Sequence, residues 1–569
     1  MPAIRKTADP VLACDQNSRE KNKARITVLV LASCAAILTL VRFLTGPSMM
    51  RNGLPPFWAE ALFFINVFVS YFLLLILFVK SRLAAYVLLP LCAIVQLLSI
   101  YIETRYGLCL ASELVTAALE TSWRQVSGFI YPSHYVLVPL ALLLMAGGIY
   151  LLRRLLSPLP ELAAWKAWTA AGLYISLSTA VLLGCIRFFP ETASYLVAND
   201  GHNVSQNSSQ YRKTLIARMQ EESSIEYIYP AYLPLYWQMA ALYHAFDYYC
   251  VSPLKNAADL PSHSVFEDPD LTVVLVIGES FRSDHSPWNG YERNTLPQLT
   301  AIAGDNVVNF PTFKSYGTTT ITSIYGMLSD ATCRNRQATH TSFLEILKKH
   351  GFENRLLVSR TGFWYNNPHI HALINGALDS IEWSHDNDGI CRQFSLSLKP
   401  RKQLIVLEDG TGHFPYRHED RFKVFDESDT DNRVNPYDNC LIQTDDLLSR
   451  LVKVLKNRNA VLVYSSDHGQ SFGEQGFWMH GGLLTAEKQR HVFSFVWFSD
   501  TFRKRHSELV ANIRSNRLKA LSHDDLYHSI LSLCGIESAV QKPELDFTKP
   551  LPRPDVSSFS LEDEQQATR

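Results

Sequence analysis

The sequence predicts two parts: an α-helical transmembrane domain of five spans and a soluble α/β domain with a central, mostly parallel sheet. Long apolar stretches are confined to the first third of the chain, whereas short apolar runs alternate with helical patterns from residue 271 onward. The 569 residues are too many for one ordinary domain, and 47% of them are hydrophobic. This composition is typical of a chain with both lipid-embedded and soluble parts.

Five apolar stretches approach the roughly 20 residues that an α-helix needs to cross the hydrocarbon core of a bilayer. They cover residues 26–40, 57–79, 83–102, 135–152 and 167–186. Basic residues precede the first stretch, separate the second from the third and follow the fourth, which marks these segments as cytoplasmic. Because the number of spans is odd, the chain after about residue 187 is expected on the far side of the membrane. The first stretch is long and lacks a small-residue cleavage site, which favours an uncleaved anchor over a signal peptide.

These patterns divide the chain into five predicted segments. They are a cytoplasmic N-terminal segment (1–25), the five-helix transmembrane domain (26–187), interfacial helices and a linker (188–268), the soluble domain (269–545) and a polar C-terminal tail (546–569). The aromatic-rich run 233–249 is typical of a helix at the membrane surface, and packing on the soluble domain is the alternative. The run 252–268 is rich in Pro, Ser and Asp, as linkers are.

The soluble domain shows the alternation of strands and helices that predicts a sheet covered by helices on both faces. Buried strands are predicted at 271–277, 355–359, 403–407, 460–464 and 492–498, and helices at 341–350 and 439–456. In such sheets, active residues gather where the parallel strands end and the loops begin.

Charge and cysteine spacing exclude two classes of function. The formal net charge is −1, and no stripe of basic and aromatic residues argues for nucleic acid binding. The ten cysteines include no C-x-x-C pair, which argues against a zinc–thiolate site.

Two interpretations stay open for Cys333 and Cys391. They form a disulfide if this part of the chain lies in an oxidising compartment, and the alternative is that both are buried free thiols.

Two of the predicted strands run directly into carboxylate and imidazole side chains. Glu279 follows the first strand, and Asp467 and His468 follow the fourth. Carboxylate and imidazole groups that meet at one edge of a sheet are suitable ligands for one divalent ion. An Asp-His pair taken alone is more often a cap and its neighbour, so the metal interpretation depends on the surrounding motifs.

A run of threonines supplies candidate nucleophiles. Thr318, Thr319, Thr320 and Thr322 surround the start of a predicted helix at 321–328. A hydroxyl at a helix N-terminus is favoured as a nucleophile by the helix dipole, and metal coordination lowers its pKa. A plain N-cap is the alternative for any one of these threonines.

Two histidines in glycine-containing loops add possible acid–base or binding groups. His413 follows the third predicted strand, and His480 lies twelve residues beyond His468. Each has the chemistry to contact phosphate oxygens, to protonate a leaving alcohol or to complete a second metal site.

Taken in order, these motifs resemble the catalytic domain of phosphoethanolamine transferases in the alkaline phosphatase and sulfatase superfamily. The resemblance covers most of residues 270–540 and extends to the five-span anchor. The matching segments are 278–285, 289–295 with Pro297, 317–320, 412–413, 437–439 with Asp445, 467–469 and 480–481.

The resemblance implies a role for each candidate residue. Glu279, Thr320, Asp467 and His468 would bind Zn²⁺, with one ion expected and a second possible. Thr320 would be the nucleophile that takes phosphoethanolamine from phosphatidylethanolamine and holds it as a phosphothreonine. The acceptor would be a lipopolysaccharide, through lipid A or a core sugar, or another envelope glycan. His413 and His480 match catalytic positions that contact phosphate or support acid–base steps.

The resemblance also implies a location and an assembly state. The protein would be a multi-pass, monomeric enzyme of the bacterial inner membrane, with residues 269–545 as a periplasmic catalytic domain. It departs from the family at Tyr316, where many members have cysteine, and at Phe414, where many have glycine. The alternatives are a phosphoglycerol transferase or sulfatase-like hydrolase of the same superfamily and a non-catalytic membrane scaffold. No Cys/Ser-x-Pro-x-Arg motif lies near Thr320, which argues against a sulfatase.

Overall fold

The computed structural model of this chain describes residues 250–359, 363–429, 433–474, 478–481 and 487–556, with isolated positions before residue 170. The chain divides into two compact units, and the described residues from 250 onward lie in the second. No helix within the described residues is long and apolar enough to cross a bilayer. The five predicted spans and the run 233–249 lie outside those residues, apart from the isolated positions, and stay predictions together with the segment boundaries.

A seven-stranded mixed sheet is the centre of the second unit, with the strand order β3-β10-β7-β2-β6-β4-β5. Two short antiparallel pairs, β1 with β11 and β8 with β9, lie outside it. The strands are β1 (Ser262–Ser264), β2 (Thr272–Gly278), β3 (Val307–Asn309), β4 (Glu353–Val358), β5 (Ser380–Trp383), β6 (Gln403–Asp409), β7 (Ala460–Ser466), β8 (Ser471–Phe472), β9 (Trp478–Met479), β10 (Ser494–Phe498) and β11 (Ile536–Ser538).

Helices cover both faces of this sheet. They are α1 (Pro297–Ala303), α2 (Thr320–Leu328), α3 (Phe343–Lys349), α4 (Pro368–Ile374), α5 (Asn387–Ser397), α6 (Val434–Leu455), α7 (Glu487–Arg490), α8 (Asp500–Arg505), α9 (Ser507–Ser515) and α10 (Leu526–Leu533). The side chains of β2 alternate between two hydrophobic cores: Val273 and Leu275 pack with α2, α3, α4 and α10, whereas Val274 and Val276 pack with α1, α5 and α6. This two-sided burial explains why β2 is a continuous apolar run.

All five predicted strands form and lie in the central sheet, and the predicted mostly parallel arrangement is confirmed with one exception. Strands β7, β2, β6, β4 and β5 run parallel to their neighbours, but β10 is antiparallel to both β7 and β3. The described part of the connection from β7 to β10 contains the β8–β9 pair and the four-residue α7 rather than a long crossover helix. This connection does not carry the chain back to the end of the sheet where β7 begins. Strand β10 therefore starts near the end of β7 and runs antiparallel beside it.

The strand register brings three loops to one edge of the sheet. Gly278, the last residue of β2, is level with Asp409 at the end of β6 and with Ser466 at the end of β7. The loops that carry Glu279, His413 and Asp467 therefore begin side by side. The structure has no disulfide between Cys333 and Cys391, which rules out the first of the two interpretations of these cysteines.

Candidate metal centre and active site

Glu279, Asp467 and His468 come together as the sequence predicts. One ligand atom from each lies within 4.8 Å of the others, and all three side chains are buried. Their proximity follows from the parallel pairing of β2 with β7, because Glu279 and Asp467 are the residues that follow the paired positions Gly278 and Ser466.

The Thr320 hydroxyl faces this cluster from the first turn of α2. Its Oγ1 lies 3.4 Å from Glu279 Oε2 and 3.3 Å from His468 Nε2. Thr319 occupies the N-cap position, and its side chain makes no capping hydrogen bond; instead its hydroxyl contacts Thr322 Oγ1 at 2.8 Å. Among these threonines, only Thr320 has a hydrogen bond to the cluster, in a position suited to a nucleophile rather than a cap.

The hydrogen bonds of His468 direct its second ring nitrogen toward a carboxylate oxygen. Its Nδ1–H donates to the Gly469 carbonyl at 2.8 Å, so in the neutral imidazole the lone pair is on Nε2. That Nε2 lies 3.4 Å from Asp467 Oδ2, a buried oxygen with no hydrogen-bond partner. Buried polar atoms normally have a partner, and two acceptors at this distance are stabilised by a cation between them. The donor set of two carboxylates, one imidazole and one hydroxyl fits zinc or a similar divalent ion.

The electrostatics of the cluster also fit a bound cation. Burial, followed by the nearby charge of Asp467, raises the pKa of the Glu279 carboxyl well above its ordinary value. Two carboxylates in a poorly solvated space repel each other when both are ionised, and a divalent cation offsets both charges.

His413 and His480 complete the group of predicted residues. The ring of His480 lies 4.0 Å from that of His468 and 6.4 Å from that of His413, measured between centroids. Their Nδ1–H groups donate to the Phe414 carbonyl at 2.6 Å and to Gln470 Oε1 at 2.7 Å, respectively. Each Nε2 is therefore the unprotonated nitrogen. Burial lowers the pKa of both imidazoles, most strongly that of His480, which favours the neutral forms.

A glycine brings two of the loops into direct contact. A Cβ atom on Gly412 would lie 2.1 Å from the carbonyl oxygen of Glu279, so no larger residue fits without a shift of the backbone. This close approach explains why a glycine precedes His413 in the loop after β6.

His523 is a buried residue near the site that sequence reasoning missed. Its Nδ1 accepts from the Tyr316 backbone N–H at 3.0 Å, and its Nε2–H donates to the Ser466 carbonyl at 3.0 Å. It therefore joins the loop that leads to Thr320 to the end of β7. Its partner Tyr316 lies 207 positions away in the chain, and no local motif marks the interaction.

Gln470 is a second missed residue. Its amide oxygen accepts from His480, and its Nε2 donates to the Tyr416 hydroxyl at 2.6 Å. Because the amide is bonded at both ends, it holds one orientation and selects the His480 tautomer with an unprotonated Nε2.

Comparison with known proteins identifies relatives for this part of the chain. Residues 271–536 match the protein family described as Sulfatase. Phosphoethanolamine transferase EptA of Escherichia coli strain K12 is 28% identical over 307 residues, which cover 47% of this chain and 53% of that protein. The Kdo(2)-lipid A phosphoethanolamine 7''-transferase of Salmonella typhimurium is 25% identical over 351 residues, which cover 54% and 60%. The chain spans about half the length of the curated relatives it matches.

A solved structure extends the likeness of the fold. The integral membrane protein lipooligosaccharide phosphoethanolamine transferase A of Neisseria meningitidis has a TM-score of 0.65 at 20% identity, over 90% of this chain and 99% of that one. At this identity the likeness concerns the fold alone. The predicted resemblance to phosphoethanolamine transferases is confirmed by relatives of that name. Residues 271–536, which contain every strand of the central sheet, match the Sulfatase family, a domain of the alkaline phosphatase superfamily.

Proposed function

We propose that this protein transfers phosphoethanolamine from phosphatidylethanolamine to a lipopolysaccharide or another envelope glycan, with Thr320 as the residue that carries the group. The observation behind this proposal is the position of the Thr320 hydroxyl, at the start of α2 and within 3.4 Å of both Glu279 and His468. A half-buried hydroxyl that contacts a buried carboxylate and an imidazole nitrogen is suited to become a nucleophile at neutral pH.

The proposed metal ligands are Glu279, Asp467, His468 and Thr320. A bound zinc ion supplies a positive charge that lowers the pKa of the Thr320 hydroxyl and stabilises charge on phosphate oxygens. The partnerless Asp467 Oδ2 and the facing His468 Nε2 support this assignment. One ion fits these ligands, and His413 and His480 present the nitrogen atoms that a second ion would need.

The proposed reaction has two displacement steps. Thr320 Oγ1 attacks the phosphorus of the donor, the bond from phosphorus to the diacylglycerol oxygen breaks, and phosphoethanolamine remains on Thr320 as a phosphothreonine. An acceptor oxygen then attacks the same phosphorus, and the bond to Thr320 Oγ1 breaks. The neutral His413 and His480 side chains are the proposed acid–base groups: an Nε2 takes the proton of the attacking hydroxyl and returns it to the leaving oxygen.

The proposed location follows from the donor and from the relatives. Phosphatidylethanolamine lies in a bilayer, so the enzyme must work at a membrane surface. The five predicted spans would anchor a monomer in the bacterial inner membrane with the catalytic domain in the periplasm. The integral membrane protein of Neisseria meningitidis supports the membrane anchor, because the fold likeness extends over 90% of this chain.

A donor assay tests the proposal directly. Purified full-length protein is incubated with zinc and phosphatidylethanolamine that carries a fluorescent acyl chain, and labelled diacylglycerol is measured. The parent is expected to release diacylglycerol and to gain a phosphoethanolamine adduct on Thr320, detectable by mass spectrometry of peptides. Thr320→Ala is expected to lose both signals, because it lacks the attacking oxygen. Thr322→Ala is the matched control, since it removes a hydroxyl that does not contact the cluster.

Two results would contradict the proposal. Equal release by the parent and by Thr320→Ala would exclude Thr320 as the nucleophile. Turnover of phosphatidylglycerol in preference to phosphatidylethanolamine would point to a phosphoglycerol transferase instead. Mass spectrometry of lipid A and core sugars from cells with and without the protein then identifies the acceptor by a phosphoethanolamine mass increment.

A further inference from the structure

Ser280, directly after Glu279, contacts both carboxylates of the candidate metal centre. Its hydroxyl donates to Glu279 Oε1 at 2.6 Å, and its backbone N–H donates to Asp467 Oδ1 at 2.9 Å. The residue is almost completely buried, with 1% of its surface exposed. A single serine therefore holds one oxygen of each carboxylate.

The other oxygen of each carboxylate contacts a candidate ligand of the centre. Glu279 Oε2 lies 3.4 Å from Thr320 Oγ1, and Asp467 Oδ2 lies 3.4 Å from His468 Nε2. Asp467 Oδ1 has a second donor, the His468 backbone N–H at 2.7 Å, whereas Oδ2 has no hydrogen-bond partner. Ser280 thus engages Glu279 Oε1 and Asp467 Oδ1, whereas Asp467 Oδ2 has no donor and Glu279 Oε2 has the long contact with the Thr320 hydroxyl.

The backbone of Ser280 makes this double contact possible. Its φ of +59° lies in the left-handed region, which favours glycine. In this turn the N–H is directed to Asp467 while the hydroxyl reaches back to Glu279. The Tyr437 hydroxyl holds the turn, because it donates to the Ser280 carbonyl at 2.7 Å and accepts from the Arg282 N–H at 2.9 Å.

We propose that Ser280 is a positioning residue that limits Glu279 and Asp467 to one ligand oxygen each, an inference that rests on the metal centre of the proposed function. Zinc in enzymes commonly has four ligands, and a carboxylate that binds through both oxygens takes an additional position. With one oxygen from each carboxylate and the His468 nitrogen, a fourth position stays available for the Thr320 hydroxyl or a phosphate oxygen. Hydrogen bonds to metal-binding carboxylates orient them and raise metal affinity.

Two substitutions separate positioning from a purely structural role. Ser280→Ala and Ser280→Gly both remove the hydroxyl and keep the N–H that contacts Asp467. Glycine adopts a positive φ without strain, so Ser280→Gly is expected to unfold at a temperature no lower than the parent when zinc is absent. Ser283→Ala is the matched control, because Ser283 is a buried serine in the same segment whose hydroxyl donates to the Pro311 carbonyl instead.

Zinc affinity is measured on the full-length protein by competition with a chromophoric chelator, and thermal unfolding is measured on the zinc-free form. Both Ser280 variants are expected to bind zinc about 10- to 100-fold more weakly than the parent, the range for losing a hydrogen bond to a metal ligand. Ser283→Ala is expected to keep the affinity of the parent. Weak zinc binding by a Ser280→Gly protein of undiminished thermal stability would be the signature of positioning.

Unchanged zinc affinity in both Ser280 variants would overturn this inference, and phosphatidylethanolamine turnover by the parent in the same preparation would show that the proposed function still holds. A parent that neither binds zinc nor turns over the donor would overturn both. Equal weakening of zinc binding by Ser283→Ala would also overturn the inference, because the effect would then be a general consequence of altering this segment.

Discussion

Two buried aspartates contact the segment after β2, and their oxygens have different partners. Asp438 in α6 has no exposed surface, and each of its oxygens is bonded: Oδ1 to His285 Nδ1 at 2.7 Å, and Oδ2 to the Tyr291 hydroxyl and Arg293 Nη1 at 2.8 Å each. Asp467 is equally buried but keeps Oδ2 without a partner. A buried carboxylate that is completely bonded stabilises the protein's own loops, whereas one with an open oxygen is suited to an external cation.

The largest expected effect comes from Asp467→Asn, which removes the open charged oxygen. The proposed transferase activity should fall by about 1000-fold or more, the scale for losing one member of a catalytic set. Zinc binding should be lost as well, while the zinc-free protein should not be destabilised, because a repulsion with Glu279 disappears. Donor turnover, zinc content and thermal unfolding test these three expectations. A variant that still binds zinc tightly would contradict the assignment of Asp467, rather than Asp438, to the metal centre.

Asp438→Ala should have the opposite effect. The substitution leaves Arg293 and His285 without their buried partner, and breaking such a pair costs about 3 kcal/mol of unfolding free energy. Zinc should still bind with the stoichiometry of the parent, since Asp438 is not among the candidate ligands. Denaturant unfolding of the zinc-free protein measures the loss, and a stability equal to the parent would contradict the structural role of this cluster.

A smaller effect is expected from His523, a buried side chain with both ring nitrogens hydrogen-bonded near the candidate metal ligands. Its contribution to the stability of the protein should depend on pH. Burial lowers its pKa to about 3, below the ordinary value of 6.5. Because the unfolded chain takes up a proton below about pH 6.5 while the folded form does not, this histidine contributes stability at neutral pH that decreases as the pH falls toward 3. Between pH 7 and pH 5 the loss should be about 2 kcal/mol.

Comparison of the parent with His523→Asn isolates that contribution. Asparagine cannot take up the proton, so the variant should lose about 2 kcal/mol less than the parent between pH 7 and pH 5, although it is less stable at pH 7. Thermal unfolding of both proteins at the two pH values provides the measurement. An equal loss of stability in the parent and in His523→Asn between pH 7 and pH 5 would show that His523 is not neutral in the folded protein.

The main strands and the position of the site were predictable because their signals are local. The apolar run of β2 and the Glu279 that follows it are adjacent in the sequence, and parallel pairing then places Asp467 beside Glu279. The reversed direction of β10 was not predictable from its own residues, because direction depends on the connection rather than on the strand. The three-residue β3 and four-residue β5 are too short for a clear period.

The supporting contacts of the site were not predictable for a different reason. Ser280 bonds to Asp467 across 187 positions, and Tyr316 bonds to His523 across 207. No spacing of residues in the sequence predicts either contact, because each forms only when the sheet brings distant segments together. The positive φ of Ser280 was also not predictable, because serine does not indicate a left-handed backbone conformation in the way that glycine does.

The contact between Gly412 and the Glu279 carbonyl has a consequence for engineering. The loop bearing His413 and the loop bearing Glu279 are fitted to each other at the backbone, so they cannot be exchanged as independent modules. A loop grafted from a relative with another acceptor preference must retain glycine at position 412 to avoid displacing Glu279. Substitutions around His413 and Phe414 are therefore expected to show epistasis with the candidate metal centre, and directed evolution of the proposed acceptor specificity should vary both loops together.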